Sequence, residues 1–177
     1  MPQTDSPRLV VATSNKGKLR EIRELLEPTG WTALSLADVI APAGVIETGR
    51  SYLENAVAKA VSVANVTGLP ALADDSGLEV DALDGRPGVT SARYGGPLLS
   101  DAGRCAHLLQ DLRAVPRARR RARFRAVVVL ALPGGQRFVR EGVLEGRITE
   151  VERGSNGFGY DPVFEIHDGR TLAEIGE

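Results

Sequence analysis

At 177 residues the chain is long enough for one domain with a sizeable core, and 42% hydrophobic with 25% charged residues is ordinary globular composition. A net charge of −1 excludes a global basic field for nucleic acid and an acidic tail. One cysteine, Cys105, excludes an internal disulfide, no cysteine–histidine spacing suggests zinc, and the longest apolar run, AVVVLALP, is too short for a bilayer. The opening MPQTDSPRLVV lacks a signal-peptide core, so the chain reads as cytoplasmic. Of the 22 basic residues only Lys16, Lys18 and Lys59 are lysines, leaving 19 arginines. Where lysine persists against that bias, a compact ammonium on a flexible stem is the expected need.

The first element is RLVVATSNKGKLREIRELL. Leu9 to Val11 predict a buried strand, and Leu19, Ile22, Leu25 and Leu26 recur at helical spacing. Between them lies TSNKGK, with Ser14 or Asn15 as helix cap. A strand entering a helix through such a loop presents backbone N–H groups to an anion, and Lys16 and Lys18 add charge there. The first glycine of a P-loop and the hydroxyl after its lysine are missing. An ordinary turn with exposed lysines is the alternative. WTALSL predicts a second strand.

VIETGRSYLENAVAKAVSVANVTGLP follows. Ser51 and Glu54 form a capping box. Leu53, Ala56, Val57, Ala60, Val61 and Ala64 make an apolar face, and Gly68 with Pro70 stops the helix. Glu47 is a carboxylate on the entering loop, while Asn55 and Lys59, four apart, share one face. The short strand PALAD then carries Asp74 and Asp75 to its carboxyl end, where ligands of α/β sheets gather. Two adjacent like charges raise each other's pKa unless a cation intervenes. Oxygen ligands beside a phosphate site suit magnesium. The two aspartates need not share a role, since one of them can serve the turn.

SDAGRCAHLLQDLR predicts a helix capped by Ser100, with Ala102, Cys105, Leu108, Leu109 and Leu112 inward and Cys105 a core residue. RARRRARFR, six arginines from Arg117 to Arg125, reads as a solvated loop feeding a strand, with a nucleic-acid arm as the lesser reading. FRAVVVLAL and QRFVREGVLEGRI predict a hairpin around PGG. In GSNGFGYDPVFEI, glycines flank Phe158 and Tyr160. A ring so exposed offers a stacking face worth roughly 1–3 kcal/mol per base, and Asp161 is placed to accept from a ring N–H. An aromatic turn packed on the sheet edge fits the same spacing.

Taken together, ATSNKGKLREI, ETGRSYLENAVAKA, LADDSGLEVDALDGRPGVTSARYGG, FRAVVVL and GFGYDPVF closely resemble the inosine triphosphate pyrophosphatase (Ham1-like, RdgB-like) family, in order, from Leu9 to Glu174. The resemblance implies an α/β fold with an elongated mixed central sheet flanked by helices, two lobes and, usually, a homodimer. Chain length implies one domain over 1–177, the short apolar runs imply no membrane partner, and nucleic acid is the lesser reading. It implies magnesium-dependent hydrolysis of ITP, dITP and XTP to the monophosphate and pyrophosphate, cleansing the nucleotide pool. By motif, Thr13, Ser14, Asn15, Lys16, Gly17 and Lys18 would hold the triphosphate. Glu47 and Asp75 would bind magnesium, with Asp74 a further candidate ligand and Asp75 also the catalytic carboxylate. Ser76 would touch substrate and Lys59 face the phosphates, while Phe158, Gly159, Tyr160 and Asp161 would form the base pocket. Asn156 departs from the family's usual second glycine before FGYD. The chain also stops at Glu177, where family members continue with a lysine and a Ser-His-Arg segment that reads the base. The expectation is therefore poor discrimination between ITP and GTP, and the alternative is a nucleotide-binding protein with little or no turnover.

Overall fold

The structure is a computed structural model that describes residues 6–40 and 50–175. Leu9, Val10 and Val11 form the buried part of β1 (Arg8–Val11), as expected of a parallel strand covered on both faces. The chain passes through α1 (Lys16–Leu26) and returns in β2 (Thr32–Leu34), parallel to β1, with Arg8 opposite Thr32 and Val10 opposite Leu34. Ser51 caps α2 (Tyr52–Thr67), its hydroxyl accepting the Glu54 N–H at 3.2 Å. The Glu54 carboxylate accepts the Arg50 N–H at 2.7 Å, one residue earlier than the capping box requires. Gly68, at φ 66°, ends the helix in the left-handed conformation.

β3 (Ala71–Val80) runs parallel to β1, with Val10 opposite Ala71 and Val11 opposite Leu72. Next come α3 (Asp101–Asp111), capped by Ser100, and the strands β4 (Arg121–Ala131) and β5 (Arg137–Ile148). The predicted turn joins these strands, the Leu132 N–H donating to the Gln136 carbonyl at 2.8 Å. The short β6 (Phe164–Glu165) pairs antiparallel with β5. The strand order is β2-β1-β3-β4-β5-β6, a mixed sheet with flanking helices, as the α/β reading requires. Among the described residues, no helix is long and apolar enough to cross a membrane.

The chain packs as two compact units, one drawn from residues 1–75 and 127–141, the other from 76–126 and 142–177. β3, β4 and β5 each contribute residues to both. In the first unit the core is small-grained: Val10, Val11, Ala71 and Ala73 are buried, as are Ala56, Ala60 and Ala64 of α2. The second has a larger-grained core of Leu78, Val80, Leu108, Leu112, Ile148, Val163 and Phe164, with the Phe124 ring 4.6 Å from that of Phe164.

Three expectations need correction. Asp74 and Asp75 do not end their strand, because the alternation of burial carries β3 on to Val80; they lie past the carboxyl end of neighbouring β1 instead. The buried face of α2 is turned from the predicted one: Leu53 is exposed, while Tyr52, Asn55 and Val63 are buried. Likewise Ala102 of α3 is exposed. The arginine run is not a solvated loop. Arg120 is buried, its guanidinium donating to the carbonyls of Val115, Leu112 and Thr149 at 2.7–2.9 Å. Arg117 pairs with Glu165 at 2.8 Å, and Arg123 with Glu79 at 2.9 Å. Charges that look idle in the sequence are satisfied by groups distant along the chain.

Candidate active site

The loop leaving β1 is folded by its own polar side chains. The Thr13 hydroxyl accepts the Asn15 N–H at 3.2 Å. Asn15 caps α1, its Oδ1 accepting the N–H groups of Gly17 at 2.8 Å and Lys18 at 3.2 Å. These two amides are therefore spent on the cap rather than presented to an anion. Ser14, Asn15 and Lys16 are exposed, while Thr13, Gly17 and Lys18 are half-buried. What the loop offers a phosphate is chiefly lysine charge.

Lys18 reaches across to β3, its Nζ 2.5 Å from Asp74 Oδ2. The other Asp74 oxygen, Oδ1, is buried and has no hydrogen-bond partner among the described residues. Asp75 is held from α2: Asn55 Nδ2 donates to its Oδ2 at 3.0 Å, and Lys59 Nζ to its Oδ1 at 3.3 Å. Consecutive strand residues point to opposite faces, and the pair obeys this, one serving α1 and the other α2. The expected mutual repulsion is thus divided, with a lysine for each carboxylate. Ser76 follows on β3, half-buried. Glu47 lies outside the described residues, and among the described residues no cluster of three or more histidine, cysteine or acidic side chains forms a metal cage.

The aromatic turn belongs to the second unit. Phe158 and Gly159 are half-buried and line a cleft with Asp101, Cys105, Glu152 and Pro162. Asp161 Oδ2 accepts the Phe158 N–H at 2.8 Å, so this oxygen shapes the turn. A side chain at Gly157 (φ 76°) would put its Cβ 2.1 Å from that same oxygen, which explains the glycine. Tyr160 is buried, its hydroxyl donating to the Ser91 carbonyl at 2.9 Å. Its ring is a core group and not a platform for a base; the ring lining the cleft is that of Phe158.

Two residues that sequence reasoning left without a role stand out. Asn55 is one; the available signal was an amide on a face of small apolar residues. Asp101 is the other. From the first turn of α3 it accepts the Gly159 N–H at 2.9 Å and pairs with Arg104. Burial works to raise the Asp101 carboxyl, but the Gly159 N–H and the Arg104 guanidinium outweigh it and hold it below the usual range. No local pattern reveals a bond to a turn so far along the chain. Cys105 is fully buried, and burial pushes its thiol up to about 12, which suits a core residue and not a nucleophile.

Comparison with known proteins extends this geometry. The chain is 53% identical over 169 residues to the dITP/XTP pyrophosphatase of Geobacter sulfurreducens, covering 95% of this chain and 85% of that protein. It is 54% identical over 170 residues to a dITP/XTP pyrophosphatase of Thermus thermophilus, covering 96% and 81%. Among solved structures, a Ham1 protein from Coxiella burnetii superposes with a TM-score of 0.86 at 40% identity, over 96% of this chain and 87% of that one. The sequence profile of the Ham1 family matches residues 9–177, and with the mixed sheet and the paired lysine–carboxylate contacts in place, the chain belongs to the Ham1 family.

Proposed function

We propose that the chain hydrolyses deaminated purine nucleoside triphosphates, dITP and XTP among them, to the monophosphate and pyrophosphate. Relatives named dITP/XTP pyrophosphatase at 53% and 54% identity support a hydrolase of phosphoric anhydrides. The observation that carries the reading is the hold on Asp75, whose two oxygens accept from Asn55 and Lys59. A carboxylate fixed in this way is suited to take a proton from water as the water oxygen bonds to the α-phosphorus. The bond from that phosphorus to its bridging oxygen breaks, and pyrophosphate leaves. Lys18 and Lys59 would face the phosphoryl oxygens, Ser76 would lie against the substrate, and Phe158 would offer the base a ring face.

Magnesium belongs to the same proposal. The donors fit a hard cation, since they are carboxylate oxygens, and among the described residues the buried Asp74 Oδ1 is an acceptor without a donor. Asp75 would hold the ion with Glu47; Asp74, which points to the opposite face of β3 toward Lys18, would serve only a cation on that side. When bound, the ion would offset charge developing on the phosphates. A homodimer in the cytoplasm completes the reading, the dimer supported by the exposed Phe138 and Leu144 on one face of β5.

The test is pyrophosphate release from dITP with magnesium. The wild-type chain turns over, and folded Asp75→Asn loses at least about a thousandfold in kcat, because several kcal/mol of transition-state stabilisation go with the carboxylate. Near-normal release from a folded Asp75→Asn protein would sink the assignment.

A further inference from the structure

Asp75 owes its orientation to one turn of α2. Asn55 and Lys59 are four residues apart, so both project from one face, and each donates to a different oxygen of the carboxylate. Asparagine is a poor choice for a helix interior, and an amide in a core costs free energy unless it is bonded. Asn55 is only 2% exposed, amid the buried Tyr52, Ala56 and Ala60. The bond to Asp75 accounts for an amide there.

We infer that Asn55 is a positioning residue for the hydrolysis proposed above, on which the inference rests: Asn55 is the permanent anchor of Asp75, and Lys59 is the exchangeable one. The two donors differ in the ways that matter. Lys59 carries a charge for which a polyphosphate competes, on a flexible stem, with 14% of its side chain exposed and the longer of the two bonds at 3.3 Å. Asn55 is neutral and buried, and its short side chain rises from a helix fixed at both ends by Ser51 and Gly68. A phosphate oxygen draws on Lys59 but gains nothing from an amide in the core. While Lys59 changes partner, Asn55 still holds Oδ2, and the carboxylate keeps its aim. The neighbouring Ala56 and Ala60 have no long side chains to hold α2 away from the strand, which an amide of this length needs.

The experiment uses the full chain with dITP and magnesium, and three variants checked by circular dichroism and thermal unfolding. Asn55→Asp keeps the shape but replaces the donor with an acceptor. Asn55→Leu keeps the size and removes both. Either one decides the matter if the other does not fold, and Asn55→Gln, which keeps the amide but displaces it by a methylene, stands in for both if neither folds. The expected result is a kcat lower by about 10- to 100-fold with KM within about threefold, and a comparable loss of Mn²⁺ affinity measured without nucleotide. Lys59→Met, in contrast, raises KM by about tenfold or more. A folded Asn55 variant whose kcat stays within about twofold of wild type, or whose Mn²⁺ affinity is unaltered, overturns the inference and leaves Asn55 as a core residue. Failure of the wild-type chain to hydrolyse dITP overturns the functional reading and this inference together, and it is recognised before any variant is compared.

Discussion

Lys18 is one of three lysines in a chain that otherwise uses arginine, and its ammonium lies 2.5 Å from Asp74. An ammonium fits this single-oxygen contact; a guanidinium fork is built for two parallel bonds and a wider approach. Lys18→Arg therefore keeps the charge yet is expected to lower kcat/KM for dITP by about tenfold or more. An unchanged kcat/KM would return Lys18 to the status of a turn lysine. The bias toward arginine made this residue legible, and it made Lys59 legible too, since both lysines meet aspartates on β3. The third lysine, Lys16, is exposed. The aspartates were legible as a pair but not as two roles. Which face each one takes depends on whether the strand continues beyond them, and the turn-like Ser76–Gly77 that follows suggested that it does not.

At the scale of elements, the helices and strands with plain periodicity were found, while errors arose where a polar side chain buries itself against a group distant along the chain. α2 is rotated from its predicted face because Asn55 goes inward to Asp75 and Leu53 is left out. The arginine run shows the same effect more strongly. By composition it resembles a solvated stretch, yet Arg120 ties three carbonyls together, one of them at Thr149. Leu112 and Val115 lie nearby at the end of α3 and just past it, but Thr149 follows β5, which no local window contains. Arg120→Met preserves much of the apolar stem but removes every donor, leaving three carbonyls to be satisfied otherwise. Each unsatisfied buried acceptor costs about 1–3 kcal/mol, so the expected loss is about 3 kcal/mol or more. In a chain of this size that lowers Tm by roughly 6–12 °C. A Tm within about 2 °C of wild type would show that the carbonyls find water instead.

For the whole molecule, the division into two units and the continuity of the sheet pull in different directions. Each unit has its own core, which favours separate unfolding. Yet β3, β4 and β5 each supply residues to both, so neither unit can unfold without ending strands that continue into the other. The sheet is expected to prevail, giving one cooperative transition. The carboxylates Asp74 and Asp75 belong to the first unit, so a ligand they hold would bias that whole transition. Magnesium bound by the native state and not by the unfolded chain stabilises by about 2.7 kcal/mol at a hundredfold excess over its Kd. With roughly 2–4 °C per kcal/mol for a protein of this length, Tm rises by about 5–11 °C. Addition of EDTA reverses the shift. Asp75→Asn removes the larger part of it, while Arg120→Met, far from the carboxylates in sequence, lowers Tm but retains the magnesium increment. Differential scanning calorimetry with and without magnesium checks both parts. Two separated peaks would refute the cooperative reading, and an increment undiminished in Asp75→Asn would place magnesium elsewhere.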